Sequence, residues 1–211
     1  MGAAQHKDAL DLKHGFPIAS PGMRVGLLGG SFDPPHAGHR HISLWALRKF
    51  QLDKVWWLVS PGNPLKPDGP ASLQRRLAAC RALELHPKIE VSDLETRLGT
   101  RHTASLLRRL LKMYPCVRFI WLMGADNLAQ FHLWHDWVWI MRNVPIGVLA
   151  RPGEQVRAGL SPAAKRFAQR RLQADIAEGL PHHPAPAWTL LSGRMLDISS
   201  SEIRRRGEWK R

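Results

Sequence analysis

The sequence predicts an α/β fold, a single domain with a mostly parallel sheet and helices on both faces. Three observations carry this. Short, continuously apolar runs recur along the chain, amphipathic stretches of helical period lie between them, and nothing in the 211 residues marks a second domain. Strands that are apolar on both sides belong in sheets covered on both faces, and strands alternating with helices are joined in parallel.

The runs expected as strands are 24–28, 55–60, 88–91, 117–123, 146–150 and 188–191. Between them, Ile42, Trp45, Ala46 and Phe50 form one helical stripe. Leu73, Leu77 and Cys80 begin a second, and Leu106, Leu107, Leu110 and Leu111 make a third. Residues 1–22 lack periodicity and contain Gly15, Pro17, Pro21 and Gly22, so they are expected as a mobile N-terminal leader before a domain over 23–211. The proline-rich stretch 181–186 reads as a surface connector.

Composition narrows the function classes. Hydrophobic residues make up 44%, enough for a real core. No run approaches a membrane span and no basic-then-apolar signal opens the chain, so no membrane partner is expected and a cytoplasmic location is. Cys80 and Cys116 are the only cysteines, too few for a disulfide framework or a zinc set. The net charge of +14 fits either a nucleic-acid binder or an enzyme of polyanionic small substrates. No aromatic RNA-binding motif accompanies the basic residues. The expectation is therefore small-molecule substrates and no nucleic acid, with most of these charges simply solvated.

The segment Gly29-Gly30-Ser31-Phe32-Asp33-Pro34-Pro35-His36-Ala37-Gly38-His39 is the most informative. It joins an expected strand to an expected helix. Glycines let the backbone approach a phosphate, and a helix N-terminus presents unpaired N–H groups to it. Histidines three apart share one side of the first turn and can donate to phosphate oxygens. A plain turn with two surface histidines would not need this combination. Gly30, Phe32, Pro34, His36, Gly38 and His39 fall on the signature of the nucleotidyltransferase superfamily, related to the class I aminoacyl-tRNA synthetases. The wording resembles the bacterial nicotinate-nucleotide adenylyltransferases in particular.

A second segment, Ile198-Ser199-Ser200-Ser201-Glu202-Ile203-Arg204, has capping-box spacing between Ser199 and Glu202. A serine-rich helix N-terminus with an arginine one turn in is an anion site. It resembles the family's second signature, which binds the ATP triphosphate. A third, Gly124-Ala125-Asp126-Asn127, follows a strand; its Asp can accept from ribose hydroxyls or cap a helix. In the family this Asp lies near the adenosine ribose, and the tryptophan matching Trp134 lies near the pyridine ring. Of the nine tryptophans, Trp137 and Trp139 are expected in packing. The loop 61–66 resembles an Asn-Pro-x-Lys loop whose lysine, here Lys66, approaches phosphate. Residues 99–103 resemble the segment that recognises the nicotinate nucleotide, with Thr103 matching. The family usually has Tyr where this chain has His102 and often Asp where it has Ser105. His132, His135 and Asp136 have ligand-like spacing, but their tryptophan-rich neighbourhood favours a packed helix over a protein-bound metal.

The resemblance covers roughly residues 23–206 and implies a Rossmann-like fold and adenylyl transfer from ATP to nicotinate mononucleotide, a step of NAD synthesis. It implies that Gly30, Ser31, Phe32, His36, His39, Gly124, Asp126, Ile198, Ser199, Ser200 and Arg204 bind ATP. Lys66, Thr103 and Trp134 are implied for the mononucleotide, and Mg²⁺ should arrive on ATP. His36, His39 and Arg204 are the expected catalytic groups, without a covalent intermediate. Rivals are an adenylyltransferase acting on nicotinamide mononucleotide or phosphopantetheine, a synthetase fragment, and a basic RNA-binding module on a dead nucleotide fold.

Overall fold

The computed structural model describes residues 15–62, 69–150, 153–193, 196 and 198–211. Its centre is a sheet of seven parallel strands: β1 (Arg24–Gly30), β2 (Lys54–Val59), β3 (Ile89–Ser92), β4 (Arg118–Gly124), β5 (Ile146–Ala150), β6 (Arg171–Leu172) and β7 (Trp188–Ser192). The order across the sheet is β3-β2-β1-β4-β5-β7-β6. Every apolar run expected as a strand is one. The exception in the other direction is β6, a two-residue edge strand that has no room for an apolar run.

The helices used below are α1 (Ala37–Lys49), α2 (Leu73–Leu83), α3 (Leu94–Arg97), α4 (Thr103–Met113), α5 (Ala125–Gln130), α6 (Trp137–Asn143), α7 (Gln155–Gly159), α8 (Pro162–Arg166) and α9 (Ser200–Arg205). They cover the sheet on both faces because alternate strand residues point to opposite sides. Trp56, Leu58, Trp121 and Met123 join the stripe of α4 in one buried cluster. Trp57, Val59, Ile120 and Leu122 join Ala46 and Leu47 of α1 and its C-cap residue Phe50 in the other. Neighbouring Trp56 and Trp57 thus serve opposite cores.

Residues 15–22, expected within the leader, lie on the domain. The Tyr114 hydroxyl donates to the Pro17 carbonyl at 2.7 Å, and the Gly22 N–H donates to the Cys116 carbonyl at 2.7 Å. Arg97 donates to the Gly15 carbonyl at 2.6 Å and stacks on Phe16 at 4.1 Å. Phe16 and Ala19 pack on the core without any repeat that periodicity could reveal. The expected connector 181–186 begins inside a 3₁₀ helix, Ala174–His182, with Pro181 buried.

Candidate active site

The strand order reverses direction between β1 and β4, and in open parallel sheets ligands bind at such a switch point, outside the C-terminal strand ends. Gly30 and Gly124 end these two strands. A cleft of ≈ 630 Å³ opens there, in the usual range for a small-molecule site. Among the described residues, Gly30, Ser31, Phe32, His36, His39, Gly124, Asp126, Ile198, Ser199 and Ser200 line it, as do Thr103 and Trp134. Segments far apart in sequence therefore meet in one cavity. Lys66 lies outside the described residues.

The β1–α1 turn is built from the inside. Phe32 is 1% exposed and adopts a left-handed backbone, φ 47°, which is costly for a bulky residue and persists only where packing fixes it. Its ring stacks on Trp57 at 5.1 Å and lies against His39 at 4.6 Å. Below, the Trp57 indole donates to Ser43 Oγ at 2.7 Å, and Ser43 donates to the His39 carbonyl at 2.9 Å. The first turn of α1 is thereby tied to β2.

The two histidines cap α1 themselves. His36 is the N-cap, and its Nδ1 accepts from the Gly38 N–H at 3.2 Å. His39 Nδ1 accepts from the His36 N–H, also at 3.2 Å. Each neutral ring therefore carries its proton on Nε2, a tautomer assigned from these hydrogen bonds. The ring centroids are 4.0 Å apart. Burial, with the adjacent His36 charge adding to it, pulls the His39 pKa down to about 3. His39 is thus a neutral hydrogen-bond donor at physiological pH. The imidazolium role that an isolated histidine suggests does not apply to it. Gly38 is required by close approach: a Cβ there would sit 2.8 Å from His36 Nδ1 and 3.3 Å from Ile198.

At the other wall, Ser199 caps α9 by accepting from the Glu202 N–H at 3.2 Å. The Ser200 hydroxyl donates to the Pro34 carbonyl at 2.8 Å, which pins α9 to the histidine turn. Arg204 is folded back. It donates to the Asp33 carbonyl, reaches Ser201 Oγ at 3.2 Å and lies 3.8 Å from the Asp33 carboxylate. It is not among the groups that line the cleft.

The third wall holds the N-terminus of α4. His102 is its N-cap but makes no side-chain cap hydrogen bond, so the first-turn N–H groups beside Thr103 are not taken by a capping side chain. His102 stacks on His135 at 4.6 Å and 21°. Trp134 lies edge-on to Phe131 at 5.2 Å and to Trp121 at 6.2 Å, with part of its surface left to the cleft. Trp137 packs on Phe131 and Phe167, and Trp139 lies under Arg108. Asp126 is exposed in the first turn of α5.

Three residues here have no role in the sequence reading. Glu95 lines the cleft while only 8% exposed, and burial raises its pKa to about 7. No local pattern marks a glutamate that tertiary packing desolvates. His135, whose spacing suggests at most a metal ligand, instead faces His102, and among the described residues no group of three or more His, Cys, Asp or Glu is placed to hold a metal ion. Arg76 is 1% exposed and donates to the carbonyls of Ser31, Ser60, Pro61 and Ala71, clamping the β1 turn to the loop after β2. In the sequence Arg76 is only one more arginine inside an ordinary helical repeat.

A family profile described as cytidylyltransferase-like matches residues 27–206. The chain is 54% identical over 198 residues to a protein of Ruegeria pomeroyi named probable nicotinate-nucleotide adenylyltransferase, covering 94% of this chain and 93% of that one. A protein of the same name from Cereibacter sphaeroides is 60% identical over 189 residues, 89% of this chain and 100% of its own. Among solved structures, the nicotinic acid mononucleotide adenylyltransferase of Plasmodium falciparum complexed with NaAD superposes with a TM-score of 0.65 at 18% identity, over 87% of this chain and 83% of that one, a likeness of fold. The fold, the cleft and these relatives together make the chain a member of the cytidylyltransferase-like superfamily and, within it, of the bacterial nicotinate-nucleotide adenylyltransferase family.

Proposed function

We propose that this protein transfers the adenylyl group of ATP to nicotinate mononucleotide, giving nicotinate adenine dinucleotide and pyrophosphate in the cytoplasm as a step of NAD synthesis. Mg²⁺ comes in with ATP as part of the substrate, held mainly by phosphates and water. A phosphate oxygen of the mononucleotide attacks the α-phosphorus in line. One O–P bond forms as the bond to pyrophosphate breaks. The attacking phosphate is already ionised, so no general base is required, and no protein group becomes covalently attached.

Catalysis then rests on position and on donors aimed at the phosphates. His36 and His39 supply Nε2–H groups, and His39 does so from a neutral ring, so it adds a hydrogen bond without needing to be protonated first. Arg204 supplies the positive charge for the β- and γ-phosphates, and Asp126 the acceptor for the ribose. Lys66 assists the incoming phosphate. The α4 N-terminus beside Thr103 receives the ring carboxylate, with Trp134 against the pyridine. The observation that carries this reading is the pair of histidines whose Nδ1 atoms are both occupied by backbone N–H groups at the start of α1.

The test is pyrophosphate release from Mg²⁺-ATP. The expected result is release that depends on nicotinate mononucleotide and matches the dinucleotide formed, mole for mole. Release without any mononucleotide, or none with it, overturns the reading.

A further inference from the structure

Asp33 lies in the middle of the histidine turn, yet its carboxylate is 1% exposed. A buried carboxylate must be neutralised and hydrogen-bonded, or it destabilises whatever surrounds it. Its partners come from three places. The Ala71 N–H reaches Oδ1 at 3.2 Å. The Trp209 indole donates to Oδ1 at 2.7 Å, and Arg211 Nε donates to Oδ2 at 3.0 Å. Arg204 stands off at 3.8 Å from Oδ2. Burial works to raise the carboxyl pKa, but the donors Trp209, Ala71 and Arg211 and the charge of Arg204 outweigh it and hold it below the usual carboxylate range. Arg76 is also close, but its hydrogen bonds go to carbonyls.

The segment carrying Trp209 and Arg211 is itself fixed from α2. Arg75 stacks on the Trp209 ring at 4.1 Å and donates to the Lys210 carbonyl at 2.5 Å. Two cations from one short stretch of chain therefore converge on one buried carboxylate. Arg204 holds it at the longer distance and Arg211 at the shorter.

We propose that Trp209 and Arg211 are positioning residues that neutralise Asp33 so that Arg204 can leave it for the ATP phosphates. This rests on the role given to Arg204 above. With Arg211 and Trp209 in place, departure of Arg204 leaves Asp33 with a cation and two further donors. Without them, Arg204 would be held at Asp33, and its release would strand a buried charge. ATP binding would bear that cost, while the histidine pair and the mononucleotide wall would not.

The experiment is steady-state pyrophosphate release by the full chain for Trp209→Phe and Arg211→Gln, alone and combined with Arg204→Ala. Trp209→Phe keeps the ring under Arg75 and removes only the N–H. Each single variant should raise KM for ATP about 3- to 10-fold, with kcat and KM for nicotinate mononucleotide within twofold of wild type. Arg211→Lys should recover most of the loss. In the Arg204→Ala background, Arg211→Gln should add nothing, because both act through one group. If Arg204→Ala raises KM for ATP while both positioning variants leave it unchanged, the proposal is overturned and the reading of Arg204 stands. The proposal is equally overturned if the two variants move kcat and both KM values together. If Arg204→Ala itself leaves KM for ATP unchanged, the role of Arg204 fails and takes the positioning role with it.

Discussion

The α1 wall of the cleft and the α9 wall are held by different forces. At α1, the histidine turn sits on rings: Phe32 on Trp57, His39 on Phe32, with Ser43 bridging Trp57 to the backbone of the helix. At α9 none of the helical residues is buried, and the helix is held by Ser200 on Pro34 and by Arg204 on Asp33. Apolar packing of the first kind leaves little freedom, because a core cannot shift without losing many contacts at once. Polar contacts of the second kind can be exchanged one for another. Under the proposed function, the chemistry, which needs donors fixed to within fractions of an ångström, is assigned to the first wall, and the recognition of a long, flexible triphosphate to the second.

The contrast between the two walls is most vulnerable at His39. His39→Ala should lower kcat at least ~100-fold, as expected for loss of one preorganised donor to the reacting phosphate. KM for ATP should move far less, and His36→Ala should also damage turnover. Near-normal kcat in both would remove the chemical role from the α1 wall. On the α9 wall the effect should fall on the other constant. Arg204→Ala should raise KM for ATP ~10-fold or more, the scale of one lost charge-assisted hydrogen bond. Arg205→Ala should do almost nothing, because Arg205 is exposed and pairs only with Glu202 among the described residues. Equal effects from the two would reduce this helix to a basic surface.

A smaller effect concerns the third wall. Glu95 has a folded pKa of about 7, above its ordinary value of 4.5, so the native state holds a proton that the unfolded chain has released. Its contribution is fully present below pH 4.5 and is lost as pH rises through 7. A tenfold difference in proton affinity between the folded and unfolded chain is worth about 1.4 kcal/mol. Glu95→Gln should therefore gain stability over wild type at pH 8 by roughly 1–3 kcal/mol and gain little at pH 4. Urea unfolding at the two pH values measures this; a constant difference would mean that the carboxyl is not desolvated. The smallest effect should come from Tyr114→Phe, which deletes the hydrogen bond that holds Pro17. It should cost about 1 kcal/mol and leave kcat unchanged, as a contact remote from both walls should.

The same contrast governs what the sequence alone can reveal. The sheet is legible because β1, β2, β4 and β5 are buried on both faces and so read as unbroken apolar runs. The histidine turn is legible because glycines and histidines at fixed spacing have few other uses between a strand and a helix. What escapes detection depends on distant residues meeting. Nothing near Asp33 in sequence announces Trp209 or Arg211, and nothing near Glu95 announces its desolvation. Arg204 is visible as an arginine one turn into a serine-capped helix, but its position on Asp33 follows from tertiary packing. Residues 15–22 read as a leader for a related reason, since their hold on Tyr114 and Arg97 has no periodic signature.

Substrate choice is the decisive test of the cleft. The α4 N-terminus offers N–H donors suited to both oxygens of a ring carboxylate, whereas the NH₂ of the nicotinamide analogue's amide would meet donors with donors. Unpaired buried polar groups of that kind discriminate by orders of magnitude. The measurement is kcat/KM for nicotinate mononucleotide and for nicotinamide mononucleotide at one concentration of Mg²⁺-ATP. The expected ratio is at least ~100 in favour of the acid. Comparable values for the two would contradict it, leaving adenylyl transfer in place but removing nicotinate as the group this site is built to read.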